Sequence, residues 1–281
     1  MQVRAAQVQT PAFTDTQTCL QQVSRQLETL ASVDLVTLPE MFCCPYQAEQ
    51  FPRYAEAEGG RLWQICSDWA KRYRVYLSAG TLPERDAQGR IYNTAYFFAP
   101  DGRQIAKHRK MHLFDIQIPN GQCFQESLTL SAGDSPTVVQ TAFGRVGLCV
   151  CYDIRFPELA RQMALEGAEL VLVPAAFNPS TGPCHWELCF RSRALDNAMF
   201  YLGTAPARSE TAGYVSWGHS IAVDPWGTVL AQLGTEPAVQ YVTLDLERVA
   251  AVREQLPLLR HRRTELYELR WKSNRKKETD L

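Results

Sequence analysis

Read for hydrophobic periodicity, the chain runs through one order of elements twice. In the first half QVRAAQVQ reads as a strand, DTQTCLQQVSRQLETLA as an amphipathic helix and VDLVTLPE as a second strand. RLWQICSDWAKRYR follows as a helix, VYLSAG as a third strand, and NTAYFFAPDGRQIAKHRK as a hairpin turning at Pro100, Asp101 and Gly102. In the second half RVGLCV, AELVLVPAA and FYLGTAP read as strands, FPELARQMALEG and HWELCFRSRALDNAM as the helices between them. HSIAVDPWGTVLAQ is the closing hairpin, turning at Pro225, Trp226 and Gly227. A sheet has two faces to bury, and helices that cover only one leave the other to a second sheet. The repeat therefore predicts an α/β fold, a four-layer α-β-β-α sandwich of two similar mixed sheets. No Pro-, Gly-, Ser- or charge-rich linker separates the halves near Phe143, so residues 1–245 read as a single domain rather than two. Residues 246–281 form a C-terminal extension, amphipathic enough to pack on a neighbouring subunit or, nearly as well, on its own core.

Composition removes whole classes of function. A net charge of -1 gives no case for an electrostatic nucleic-acid binder, and the basic run KSNRKKE near the end reads as a solvated terminus. No stretch approaches the roughly 18 unbroken apolar residues of a membrane span, and MQVRAAQVQTPAF lacks the basic leader and apolar core of a secretory signal. The expectation is a cytoplasmic protein with no membrane partner. The nine cysteines are odd in number and scattered, which argues for reduced thiols rather than a disulfide framework. There is no C-x-x-C and no H-x-x-x-H pair beside the cysteines, so neither a metal nor another cofactor is expected.

In α/β units, sites gather at the carboxyl ends of strands. Cys151 stands there, between VGLCV and a helix opening near Pro157, where a helix N-terminus would lend it thiolate character; Cys149, within the strand, reads as packing. Glu40 follows an apolar strand directly and is either a loop anchor or a general base raised by desolvation. In KHRKMHLFD, alternation puts His108, Lys110 and His112 on one face and Lys107 and Arg109 on the other. The run is either a solvated strand end or the source of one cation drawn inward, and Lys110 is placed to serve as an ammonium facing developing negative charge. His185 and His219 are candidates for a Cys-His dyad, although helix-capping and loop-supporting roles fit them better.

With these residues in place, LPEMF, KHRKMHLFD, FQES and GLCVCYDIRFPELA resemble, in order and spacing, the four signature segments of the nitrilase, or carbon-nitrogen hydrolase, superfamily. FNPSTGPCHWELCFRSRALDNAMFYLGTAPAR, YVSWGHSIAVDPWGTVLAQLGTE and CPYQAEQFPRYAE are similar to its omega-amidase branch. The resemblance implies a cysteine amidase of small α-keto acid amides such as α-ketoglutaramate and α-ketosuccinamate, acting through a thioester. Deaminated-glutathione amidase and N-carbamoyl amine hydrolase are the alternatives within the superfamily. It further implies Cys151 as nucleophile, Glu40 as base, Lys110 and the backbone N–H of Tyr152 as oxyanion donors, and Glu126 as the group that orients Lys110. It also implies a homodimer or larger homo-oligomer. The substrate's far carboxylate calls for a cation: Arg155 is the first choice, with an ion pair to Asp153 or Glu158 as its structural alternative, and Tyr46 and Thr181 are candidates for the pocket wall.

Overall fold

The computed structural model describes residues 1–117 and 123–272; of the basic run near the end, only Lys272 falls among them. Helices form where the apolar spacing asked for them. In α1 (Thr16–Glu28) the Asp15 side chain caps the first turn by accepting the Thr18 N–H, and Cys19, Leu20, Val23 and Leu27 make the buried stripe. In α3 (Arg61–Tyr73) Leu62, Cys66, Trp69 and Ala70 do the same, after a short α2 (Phe51–Tyr54). The second half carries α4 (Pro157–Leu165) and α5 (Gly182–Asn197), and the extension begins with α6 (Glu247–Gln255).

The strands are β1 (Gln2–Gln9), β2 (Leu35–Thr37), β3 (Tyr76–Arg85), β4 (Ile91–Phe98), β5 (Gln104–Arg109), β6 (Asp115–Gln117) and β7 (Cys123–Gln125), followed by β8 (Thr137–Thr141), β9 (Gly144–Leu148), β10 (Leu170–Pro174), β11 (Phe200–Thr204), β12 (Ile221–Val223), β13 (Val229–Gln232) and β14 (Ala238–Asp245). They build two six-stranded mixed sheets, ordered β14-β1-β2-β3-β4-β5 and β13-β12-β11-β10-β9-β8. In each, three parallel strands are extended by an antiparallel hairpin on one side and a single antiparallel strand on the other. That single strand is β14 in the first sheet and β8 in the second. The sequence reading did not include β8, nor the small β6-β7 hairpin. The PTVVQTAFGRV run carries too little alternation to announce a strand, and three-residue strands carry almost none.

Strand alternation sorts the core into layers. Along β1, Ala6 and Val8 face α1 and α3, while Val3 and Ala5 face the other sheet. Along β10, Val171 and Val173 face α4 and α5, while Leu170 and Leu172 meet the first sheet. The layers are therefore helix, sheet, sheet, helix, as the repeat requires. A polar seam crosses the sheet interface: Gln7 Nε2 donates to the Gly203 and Ile221 carbonyls, and the Thr37 and Thr204 hydroxyls lie 2.6 Å apart. Of the extension, α6 buries Val249 and Val252, the first of them in the layer between the sheets, so this helix packs on its own core. No helix among the described residues is long and apolar enough to cross a membrane.

Candidate active site

Four strand ends meet at one end of the sandwich. Past β2, the chain is pulled against a bulge in β3, where Gly80 adopts φ +59 and a Cβ would sit 2.0 Å from the Pro39 carbonyl oxygen. Thr81 finishes the clamp: its hydroxyl accepts the Met41 N–H at 2.8 Å, and Met41 itself is left-handed at φ 49. Glu40, 1% exposed, is held between them. Past β5, the Lys110 N–H bonds the Asn93 carbonyl and the Lys110 carbonyl accepts from Gly133, each at 2.8 Å. A Cβ on Gly133 would lie 2.1 Å from the Arg109 oxygen, so only glycine allows that approach. Alternation then acts as the sequence indicated: Lys107 and Arg109 pair with Glu84 on one face, and Lys110 is fully buried on the other.

Cys151 lies three residues beyond β9 with φ 45, a left-handed conformation that costs a non-glycine residue about 1–2 kcal/mol. The turn is fixed by Asp153, which sequence reasoning weighed only as a partner for Arg155. Its Oδ1 accepts the N–H groups of Met111 and His112 and lies 2.7 Å from His112 Nδ1; its Oδ2 accepts the Val150 N–H and lies 3.1 Å from His108 Nε2. The buried Asp153 carboxyl is held far below the usual range: burial pushes it up, but the hydrogen bonds and charges of His108 and His112 outweigh that. One carboxylate thus ties the Lys110 segment to the Cys151 turn. The only sign of this in the sequence is the face shared by His108 and His112.

At the centre, Lys110 Nζ lies 3.0 Å from Glu40 Oε1 and 2.8 Å from Glu126 Oε1. Glu126 Oε2 accepts the Phe114 N–H at 2.7 Å, and Asn93 Nδ2 donates to Glu40 Oε1 at 2.8 Å. Tyr46, expected as pocket wall, is also part of this network: its hydroxyl donates to Glu126 Oε1 at 2.8 Å and lies 3.2 Å from Glu40 Oε1. The Cys151 thiol interacts electrostatically with Glu40, whose Oε2 has no hydrogen-bond partner among the described residues, and with the Ala176 backbone. Tyr214 braces Ala176 by donating to its carbonyl at 2.6 Å and packs on Tyr46 with ring centroids 4.6 Å apart.

Burial raises the Glu40 carboxyl, with the Glu126 charge adding to the shift and Lys110 opposing it. For Lys110, desolvation is outweighed by Glu126 and Glu40, so its ammonium is held well above the usual range. The Cys151 thiol is pushed up, by burial first and the Glu40 charge second. This corrects the expectation of a thiolate favoured by a helix N-terminus. A 3-10 turn, Cys151–Arg155, separates the cysteine from α4, and full burial beside a carboxylate outweighs any distant dipole. The proton rests on sulfur, next to a carboxylate able to take it. Cys149 is 2% exposed and packs in the core under α4 and α5.

The remaining candidates separate. His185 is exposed on α5, where its Nδ1 accepts from Arg155 at 2.9 Å; His219 Nδ1 lies 2.7 Å from the Trp217 carbonyl; neither hydrogen-bonds Cys151. Arg155 pairs with neither Asp153, whose oxygens are occupied, nor Glu158. Its guanidinium lies 4.5 Å from the centroid of Phe177, next to Ala176. Thr181 precedes α5, and its hydroxyl donates to Asn178 Oδ1 at 3.1 Å. A cleft opens over Glu40, Tyr46 and Tyr214; Arg155 and Thr181 do not line it.

The chain matches the carbon-nitrogen hydrolase family over residues 3–254. It is 50% identical to omega-amidase NIT2 of Homo sapiens over 238 residues, 85% of this chain and 86% of that one, and 49% identical to omega-amidase NIT2 of Bos taurus over 240 residues, 85% and 87%. Among solved structures it is similar to Saccharomyces cerevisiae Nit3, a member of branch 10 of the nitrilase superfamily, with a TM-score of 0.84 and 38% identity over 93% of this chain and 97% of that one. It is also similar to a mutant amidase from Nesterenkonia sp. AN1 bearing the acetamide moiety of fluoroacetamide covalently at its active-site cysteine, with a TM-score of 0.77 and 25% identity over 94% and 95%.

Proposed function

Because the chain belongs to the carbon-nitrogen hydrolase family and is an amide-hydrolysing enzyme, we propose that it is an omega-amidase that attacks its substrate with Cys151. The observation that carries the reading is the buried Lys110 ammonium held between Glu40 and Glu126, with the unpartnered Glu40 Oε2 available to the thiol it interacts with. As sulfur bonds to the amide carbon, its proton passes to Glu40. The oxyanion is received by Lys110 Nζ and the Tyr152 N–H, donors whose individual loss costs an acyl-transfer enzyme about 100- to 1,000-fold in rate. Glu40 returns the proton to nitrogen, the C–N bond breaks and ammonia leaves a thioester. Water then attacks the thioester carbon, Glu40 takes its proton, and sulfur departs with that proton to regenerate the thiol. Glu126 touches no reacting atom; it keeps Lys110 charged and aimed, with Tyr46 fixing Glu126 in turn.

The substrates in this reading are the short α-keto acid amides α-ketoglutaramate and α-ketosuccinamate. Arg155 takes their free carboxylate, with Thr181 and the N-terminal end of α5 beside it and Tyr46 closing the wall. The half-buried guanidinium over Phe177, one residue from the Ala176 backbone that interacts with the thiol, supports that placement. A panel of α-ketoglutaramate, α-ketosuccinamate, deaminated glutathione, an N-carbamoyl amine and a simple nitrile tests it through ammonia release. The two α-keto acid amides should lead, and preference for any other compound overturns the assignment.

The protein is further proposed to work as a homodimer in the cytoplasm. Helix α5 turns Trp186, Phe190 and Ala194 inward yet leaves Leu188 62% and Leu195 42% exposed on its other face. All nine cysteines are free thiols, which fits a reducing compartment.

A further inference from the structure

The cleft over Glu40 does not suit the acyl half of the proposed substrate. Among the described residues Glu40 is its only charged lining residue, and no cation of theirs lines it to meet a carboxylate. Its walls are largely apolar, formed by residues such as Pro11, Phe13, Met41, Pro206 and Ala207. Two of its lining residues, Glu40 and Ala176, are groups that interact with the Cys151 thiol, so the cleft adjoins the proposed reacting centre. It also holds a buried polar atom without a partner among the described residues, the hydroxyl of Thr10, whose residue is 4% exposed. On the reading above, Glu40 delivers the proton to the leaving nitrogen, which therefore departs on the Glu40 side. The substrate carboxylate lies toward Arg155, which is not part of the cleft.

We propose that the cleft is a leaving-group pocket, and that the enzyme hydrolyses N-substituted amides of the same short keto diacids whose nitrogen carries a small apolar chain, with Thr10 available to a hydroxyl on that chain. The inference rests on the proposed function and extends it from ammonia to small primary amines. The balance is unchanged: Cys151 sulfur displaces the amine, the C–N bond breaks, and nitrogen takes the thiol proton by way of Glu40 and leaves as the free amine. Water then cleaves the thioester to the carboxylic acid.

The test compares α-ketoglutaramate with its N-methyl, N-propyl and N-(2-hydroxyethyl) derivatives, assayed for ammonia or amine release in the wild type and in Ala12→Leu and Ala212→Leu. Both substitutions enlarge half-buried side chains that line the cleft and have no part in the chemistry. The wild type should release propylamine. Each variant should lose at least about 10-fold in kcat/KM on the N-propyl amide, the range expected for a few methylenes in an apolar pocket, while the primary amide stays within about 2-fold. Release of ammonia from the primary amide with no amine from any derivative overturns the inference, and so does an equal loss on both substrate types in variants whose melting temperatures match the wild type. Failure of the wild type on the primary amide refutes the proposed function instead.

Discussion

At the scale of single residues, the account turns on one proton shared by two groups whose pKa values are both raised. Glu40 must be ionised to take the thiol proton, so kcat/KM falls as acidification protonates it. Because burial and Glu126 lift this carboxyl, the fall should begin above the ordinary carboxylate range of about 4. Removing the Glu126 charge takes away one of the causes that raise Glu40. Glu126→Gln should therefore move the acid limb to lower pH while lowering kcat by about 10- to 100-fold through a less firmly held Lys110. A pH-rate profile of kcat/KM checks this, and an acid limb that stays put or moves up counts against the coupling. Some of the site was legible in the sequence: Cys151 over Cys149 by its place at a strand end, and Lys110 by alternation in KHRKMH. Asp153 was not legible as the hub it is, because its five partners lie in two segments about 40 residues apart whose meeting depends on the completed fold. Tyr46 was named for the pocket wall, and it does line the cleft; its bond to Glu126 was not legible, since only the folded loop turns its hydroxyl there.

At the scale of elements, the proposed catalytic groups are aimed by backbone irregularities rather than by the regular strands. Glu40 and Lys110 both sit where a glycine lets one segment touch the backbone of another. Gly80→Ala places a Cβ against the Pro39 carbonyl in a left-handed conformation, which should destabilise the fold by at least about 2 kcal/mol and depress kcat by shifting Glu40. Urea unfolding and steady-state kinetics on the same sample check it; a variant as stable and as active as the wild type would show that the bulge positions nothing. The long amphipathic helices and both hairpins beyond the parallel strands could be read from sequence, because each carries a full period of apolar spacing or a Pro/Gly turn. Strand β8 could not, since its interior faces are only half covered and its pattern is correspondingly weak.

At the scale of the whole molecule, the repeated half-motif explains the architecture, and the crossing of β14 onto β1 explains why the first half needs the far end of the chain to finish its sheet. The outward apolar face of α5 is one of the surfaces left uncovered among the described residues. Leu188→Lys combined with Leu195→Glu should convert a dimer to a monomer in sedimentation velocity, whereas an unchanged sedimentation coefficient would place the interface elsewhere. The central claim is that Cys151 carries the acyl group of an α-keto acid amide. It is tested most directly by acid-quenching the enzyme during turnover of α-ketoglutaramate and measuring intact mass and peptide masses. The account predicts an α-ketoglutaryl thioester on the peptide containing Cys151, lost in Cys151→Ala along with ammonia release. Acylation of Cys149 or any other residue, or undiminished ammonia release by Cys151→Ala, would contradict it.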